Sequence, residues 1–182
     1  MIDRVVAIGG PPGSGKSTAG RLVATTLGLE YLSAGDVFRA EAKSRGLGLE
    51  AFGRYAEAHL EVDRELDTTM QSLALPGRLL DGRIQAALCR RGGRPVYAIV
   101  VTAAEEERAQ RVAQRDGQSL AEALRQIRER TDSERKRYLR IYDLDPESEP
   151  ADLTVDSTRV PAAQVADRIV QFLRARPRGG PT

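Results

Sequence analysis

The chain has 182 residues, 41% hydrophobic and 30% charged, a balance that suits one compact domain with a sizeable core. A net charge of only +2 and eight aromatics (five Tyr, three Phe, no Trp) argue against a nucleic-acid binder built on charge or base stacking. One cysteine, Cys89, and one histidine, His59, exclude an internal disulfide and a His/Cys metal cage.

The N-terminus runs straight into Val5-Val6-Ala7-Ile8, a β-branched strand, with no signal-peptide pattern. No apolar run approaches the ~20 residues of a membrane span, so a cytoplasmic protein without membrane attachment is expected. Gly10-Pro11-Pro12-Gly13-Ser14-Gly15-Lys16-Ser17 follows and fits the phosphate-loop pattern of Gly, four residues, Gly-Lys-Ser/Thr. Ala19, Leu22, Val23 and Leu27 then repeat at helical spacing, and Gly28 marks a helix stop. Glycines let several backbone N–H groups converge on one anion, and the helix N-terminus adds partial positive charge. Lys16 can reach the β- and γ-phosphates, and the Ser17 hydroxyl can ligate Mg²⁺. The stretch predicts binding of a nucleoside triphosphate.

Leu29–Leu32 reads as a second strand, ending at Ser33-Ala34-Gly35-Asp36-Val37-Phe38-Arg39. Gly35 supplies a turn and Asp36 an N-cap for a helix beginning near Val37. From Ala40 to Ser72 the pattern is helical but weakly apolar, broken at Gly46 and Gly48 and weakened at Gly53. Leu60, Val62 and Leu66 are its main apolar residues, which predicts little buried core and a segment able to move. Asp63, Arg64 and Asp67 read as solvated i,i+4 charges, with a ligand role as the alternative. His59 is expected on a solvated helix end and Cys89 as a small packed apolar residue. After the Pro76-Gly77 turn, Arg78–Asp81 forms a third strand whose end, Asp81-Gly82-Arg83, places a carboxylate and a guanidinium where open α/β sheets hold ligands.

Val96–Val101 is continuous and apolar, the mark of a central parallel strand covered on both faces. A helix over Ala104–Arg115 begins with Glu105-Glu106-Glu107 and ends basic, as the helix dipole prefers. Ser119–Tyr142 is largely helical, with seven basic residues against three acidic ones between Arg125 and Arg140. Within it Arg130, Glu134 and Arg137 share one face at i, i+4 and i+7, a spacing able to hold phosphates and a sugar hydroxyl. Leu153-Thr154-Val155 is a last strand, and Pro161 opens a helix with a Val165, Ile169, Phe172, Leu173 core face. A frayed tail is expected from Arg174. The order predicts a three-layer α/β/α fold around a central parallel sheet of about five strands, one domain over residues 1–182.

Arg39, Arg83, Arg130 and Arg137 exceed what the triphosphate, Lys16 and Mg²⁺ require. A phosphorylated acceptor accounts for the excess, because arginines can align two anions and stabilise the charge spread during transfer. Gly10–Ser17, Ser33–Arg39, Asp81-Gly82-Arg83 and Glu129–Tyr138 together resemble the nucleoside monophosphate kinases, and most nearly the cytidylate kinases in their short, archaeal-type form. The resemblance covers residues 4–173 and includes Asp156-Ser157-Thr158, which looks like the family's base-side loop.

The resemblance implies that Gly10, Pro11, Pro12, Gly13, Ser14, Gly15, Lys16, Ser17 and Thr18 hold ATP, with Mg²⁺ on Ser17 and, through water, on Asp36. It implies that Arg39 and Arg83 grip the acceptor phosphate, that Asp63, Glu134 and Arg137 also bind the acceptor, and that Lys16, Arg83, Arg130 and Arg137 serve the transfer. Residues 38–72 would be a monophosphate-binding segment and 114–142 a lid. The expected reaction is transfer from ATP to CMP, and to dCMP, by a monomer without nucleic-acid partners. Long-form relatives carry an acidic base-reading residue where this chain has Ile84, and the short form usually reads Glu-Gly-Arg-Leu against Asp81-Gly82-Arg83-Ile84. Alternatives are an adenylate or uridylate kinase, a shikimate- or gluconate-type kinase, and a non-catalytic nucleotide- or nucleic-acid-binding module.

Overall fold

A computed structural model describes residues 2–176. In chain order the elements are β1 (Val5–Gly9), α1 (Lys16–Leu27), β2 (Glu30–Ser33), α2 (Ala34–Ser44), α3 (Leu49–Ala58), α4 (Glu61–Ser72) and β3 (Arg78–Asp81). They continue with α5 (Gln85–Arg91), β4 (Val96–Thr102), α6 (Glu105–Asp116), α7 (Leu120–Tyr142), β5 (Leu153–Asp156) and α8 (Ala162–Arg174). All strands are parallel in one sheet of order β2-β3-β1-β4-β5. The α/β expectation and the strand count hold. Of the expected tail, residues 177–182 lie outside the described residues.

Two apolar faces explain why β1 and β4 read as continuous hydrophobic runs. Val6, Ile8, Tyr97 and Ile99 pack with residues of α1 and α8, while Val5, Ala7 and Val96 pack on the opposite face with Met70 and Cys89. Successive strand residues point to opposite layers, so no position in β1 is free to be polar. The chain connections leave β1 toward β3 and β2 on one side and β4 on the other, which opens a crevice at its carboxyl end. Ile8 lies opposite Asp81 in the register, so the strand ends bring the phosphate loop and Asp81-Gly82-Arg83 together.

Three local expectations change. β2 keeps pairing through Ser33, opposite Asp81, and α2 starts at once, so Ser33 rather than Asp36 is the N-cap: its Oγ accepts from the Asp36 N–H at 3.1 Å. The weakly apolar segment has its own core, with Ala42, Phe52, Ala56 and Val62 buried and Phe38, Leu47 and Tyr55 against them. Its alanines, counted as neutral in the sequence, are the close-packed side of the helices. Asp63 and Asp67 are 3% and 4% exposed, not solvated. His59 caps α3 with an exposed side chain, and Cys89 is buried, as expected.

Asp67 sits in a buried polar chain: Gln71 donates to Gln85 Oε1 at 2.8 Å, Gln85 donates to Asp67 Oδ1 at 2.7 Å, and the Tyr142 hydroxyl donates to Oδ2 at 3.1 Å. Burial pushes the Asp67 pKa up to about 6, against the pull of those donors, with Asp63 raising it further and Arg137 opposing. A carboxyl whose folded pKa is raised stabilises the fold below its unfolded value and loses that contribution as pH rises to the folded value. The Asp67 contribution should therefore decline by about 3 kcal/mol between pH ~4 and ~6. Urea midpoints of wild type and Asp67→Asn across that range should diverge by this slope. Parallel curves would refute the burial assignment.

Candidate active site

The phosphate loop is shaped by backbone conformations that side chains resist. Gly10 has φ +138°, and a Cβ there would lie 2.1 Å from the Val101 carbonyl oxygen; Gly13 has φ +80°, and its Cβ would lie 2.7 Å from the Arg108 carbonyl oxygen. Behind the loop, the Ser157 hydroxyl donates to the Ser14 carbonyl at 2.7 Å and Arg108 donates to the Pro12 carbonyl at 3.2 Å. Arg111 donates to the Ser157 hydroxyl at 2.9 Å and its carbonyl at 2.7 Å. Pinned from that side, the loop leads into α1, whose N-cap Gly15 offers no side-chain cap and whose first turn has no acidic residue. The first N–H groups of α1 are left for an anion. Gly13→Ala should lower ATP affinity by about tenfold or more, since the loop must shift to relieve both strain and clash. Calorimetric titration with ATP checks this, and unchanged affinity would contradict the cradle.

The loop opens on a cavity of about 1010 Å³, at the upper end of small-ligand clefts and spacious for two nucleotides. Its walls include Pro12, Gly13, Gly15, Lys16, Ser17 and Thr18. Gly10, Pro11 and Ser14 do not line it; Gly10 turns the chain beneath Val101, and the Ser14 N–H is bonded to the Pro11 carbonyl at 3.2 Å. In the structure these residues shape the loop behind the cavity wall.

Opposite Lys16 stands a buried charge cluster. Arg130 Nε donates to Glu134 Oε1 at 2.7 Å, and Arg83 Nε lies 3.0 Å from Glu134 Oε2. The second contact is an ion pair without hydrogen-bond geometry, and among the described residues Arg83 Nε, Arg83 Nη2, Glu134 Oε2 and, in the loop, Ser14 Oγ have no hydrogen-bond partner. Burial raises the Glu134 pKa, but Arg130 and Arg83 outweigh it and hold the carboxyl below its ordinary range. Desolvation lowers the Lys16 pKa, Asp81 opposes this, and Arg130 adds to it. Lys16, Arg83 and Arg130 face Asp81 and Glu134, three cations to two anions, so the cluster is poised for added negative charge. Orphaned guanidinium donors in such a place are what a phosphate oxygen would satisfy.

The remaining predicted residues divide. Arg39, Asp63 and Arg137 line the cavity, but Asp36 does not. Its carboxylate bonds Arg21 at 2.7 Å and Arg39 at 2.6 Å, and though burial raises its pKa, Arg39 and Arg21 carry it below the usual range. Starting the helix at Ala34 turned this side chain toward arginines instead of the loop. Arg130, Glu134 and Arg137 share one face of the continuous α7 and line the same cavity, but Arg137 pairs elsewhere: its Nε donates to Asp63 Oδ2 at 2.6 Å. Ile84 is 1% exposed and packed with Ala87 and Leu144, away from the cavity. Sequence reading missed the supports Arg108 and Arg111, which lie near the start and in the middle of α6, ahead of its basic last turn at Arg115. Asp81, expected at a ligand-holding strand end, is 2% exposed in the cavity wall and accepts from the Tyr31 hydroxyl at 2.5 Å.

A parallel sheet with a phosphate loop at its centre and arginines across the cavity defines a P-loop kinase. Residues 9–128 match the protein-family model described as AAA domain. Among solved structures the fold is similar to shikimate kinase from Acinetobacter baumannii (TM-score 0.61, 23% identity, 94% of this chain and 93% of that one) and to a gluconokinase from Sinorhizobium meliloti (TM-score 0.54, 16% identity, 95% and 93%). In sequence the chain is 36% identical to cytidylate kinase of Methanocaldococcus jannaschii over 85% of its length and 89% of the relative's. It is 40% identical to that of Pyrobaculum arsenaticum (85% and 84%) and 33% identical to that of Archaeoglobus fulgidus (94% and 95%). The chain belongs to the cytidylate kinase family.

Proposed function

We propose that the chain transfers the γ-phosphoryl group of ATP to the phosphate of CMP, and of dCMP, giving ADP and the pyrimidine nucleoside diphosphate. The observation that carries the reading is Arg83: ion-paired with buried Glu134, it keeps two donor nitrogens without a hydrogen-bond partner among the described residues, in a cavity wall shared with Lys16 and Arg130. An acceptor bearing its own phosphate fits this surplus of cations better than a neutral alcohol does.

In this reading the loop N–H groups and Lys16 hold the donor phosphates. Arg39 and Arg83 hold the acceptor phosphate, and Arg130 lies against the moving group, oriented by Glu134. The acceptor phosphate oxygen is already anionic at neutral pH, so no general base is required. Magnesium bound chiefly through phosphate and water needs few protein ligands, and the Ser17 hydroxyl and Asp81 carboxylate are the groups the cavity wall offers it. When bound, it would neutralise charge on the donor phosphates. Asp36, placed by sequence on the metal's water shell, reaches it only by exchanging Arg21 or Arg39; the role that fits its contacts is aiming Arg39.

The separate small cores of α2–α4 and α6–α7 support two segments that close over the substrates and exclude water, in a monomeric cytoplasmic enzyme. Among the described residues no helix is long and apolar enough to cross a membrane. The test is a coupled ADP-release assay with Mg-ATP against CMP, dCMP, UMP, AMP and shikimate. CMP and dCMP should lead; turnover of shikimate alone, or tight single-stranded nucleic-acid binding without turnover, would overturn the assignment.

A further inference from the structure

Two buried carboxylates, Asp67 and Asp81, accept from a tyrosine hydroxyl. Asp67 has Gln85 as a second donor and stands outside the cavity wall. Asp81 is in the wall, and its setting is different. It raises the pKa of both Lys16 and Arg130 from nearby, and Arg83 is two residues along the chain. A buried carboxylate among three cations is drawn to one of them. Among the described residues Asp81 pairs with none of the three, and the neutral Tyr31 hydroxyl holds its Oδ2 instead. The phenol is itself fixed. The Arg21 guanidinium lies 4.3 Å from the ring centre and is tied to Asp36 at 2.7 Å. On the α1 side the ring crosses Gly20, where a Cβ would stand 3.1 Å from Cε2. Gly20 lies inside α1 without a positive φ, so its backbone does not call for glycine, and a glycine there is unfavourable relative to alanine. Room for the Tyr31 ring accounts for it. Ser17, the last residue of the loop, lies beside the same hydroxyl.

We propose that Tyr31 is a positioning residue for phosphoryl transfer: its hydroxyl holds the Asp81 carboxylate off Lys16 and the arginines, so that these cations stay free for phosphate oxygens. This rests on the monophosphate-kinase reading above. Tyr31 does not line the cavity, so it acts through Asp81. Without the hydroxyl, Asp81 turns to the nearest cation, and an incoming phosphate must break that ion pair before it can bind there. The stacked Arg21 and the bare face of Gly20 keep the ring where the hydroxyl can reach, which gives α1 and β2 a part in the site beyond packing.

The test is Tyr31→Phe in the full-length protein, which keeps the ring between Arg21 and Gly20 and deletes the donor. Calorimetric titration with ATP, magnesium being chelated, should show affinity lower by about tenfold, because Lys16 is then engaged by Asp81. With magnesium present, kcat/KM for CMP should also fall by about tenfold. The deciding comparison is a double-mutant cycle with Asp81→Asn, whose neutral amide has no charge to pair with a cation. Adding Tyr31→Phe to Asp81→Asn should change metal-free ATP affinity by less than about threefold. The same loss in both backgrounds would show the hydroxyl to be structural and overturn the proposal, as would unchanged ATP affinity in Tyr31→Phe alone. If Tyr31→Phe fails to fold, Asp81→Asn against D81N/Y31F leaves no carboxylate at that position without its donor and is still read; a loss there beyond threefold overturns the proposal. A wild type inert toward CMP would instead sink the underlying kinase reading while the ATP titrations still decide the role of Tyr31, so the two failures are told apart.

Discussion

Lys16→Ala is expected to lower kcat by about 10³-fold or more, roughly 4 kcal/mol of transition-state stabilisation, while leaving the fold intact. The size follows from the balance of charge around it. Without Lys16, Arg83 and Arg130 are balanced by Asp81 and Glu134, so the cluster nearest the loop loses its surplus of positive charge for the phosphoryl group in transit. ATP affinity should fall far less, because the N–H groups of the loop and of the uncapped α1 terminus are untouched. Folding should not suffer, since desolvation already lowers the Lys16 pKa and its burial as an ammonium costs the native state. Steady-state turnover with CMP, an ATP titration and a thermal melt make the three-way comparison. Turnover within tenfold of wild type, in a variant that melts normally, contradicts the role.

Why some of this site was legible and some was not comes down to the range of each signal. The loop Gly10–Ser17 is contiguous, and its requirements are backbone conformation and one reaching lysine, so local sequence carries nearly all of it. Arg39 and Arg83 both line the cavity because each follows a strand's carboxyl end, where parallel sheets converge. The shared face of Arg130, Glu134 and Arg137 was sound helix geometry, yet a face says nothing about which neighbour meets it. Glu134 turned to Arg83, and Arg137 met Asp63, 74 residues away in the chain. Asp63 itself reads as a solvated charge on α4, because burial of an ion pair is a property of two distant elements together. The core of α2–α4 was underestimated for a related reason: Ala42 and Ala56 have little hydrophobic signal alone and gain it by close packing with Phe52. Asp36 shows how two cap-forming residues three positions apart cannot be ranked locally; the β2–β3 register chose Ser33.

Arg83→Gln should separate the acceptor from the donor more sharply than any other change at the site. The expected result is a loss of about 10³-fold in kcat/KM for CMP, with the Kd for Mg-ATP within about threefold of wild type. Among the described residues the guanidinium's Nε and Nη2 are buried donors without a hydrogen-bond partner, Nε being ion-paired with Glu134, so they are donors that a bound phosphate would satisfy. A fall in ATP affinity with the CMP parameters unchanged would place Arg83 on the donor side and refute the assignment. The variant also carries a pH signature. Arg130 and Arg83 hold Glu134 ionised below its ordinary value of 4.5, so their pull contributes stability that is present above that pH and is lost as pH falls through the folded pKa. With Arg83 gone Arg130 and, more weakly, Lys16 remain, the depression shrinks, and the variant should be less stable than wild type near pH 7. That difference should narrow as the pH falls below the ordinary carboxyl value and through the depressed folded pKa values, where the carboxyl takes up its proton. Denaturant midpoints at neutral and acid pH read it directly, and a difference constant with pH would mean that Arg83 supports the fold by packing, not through Glu134.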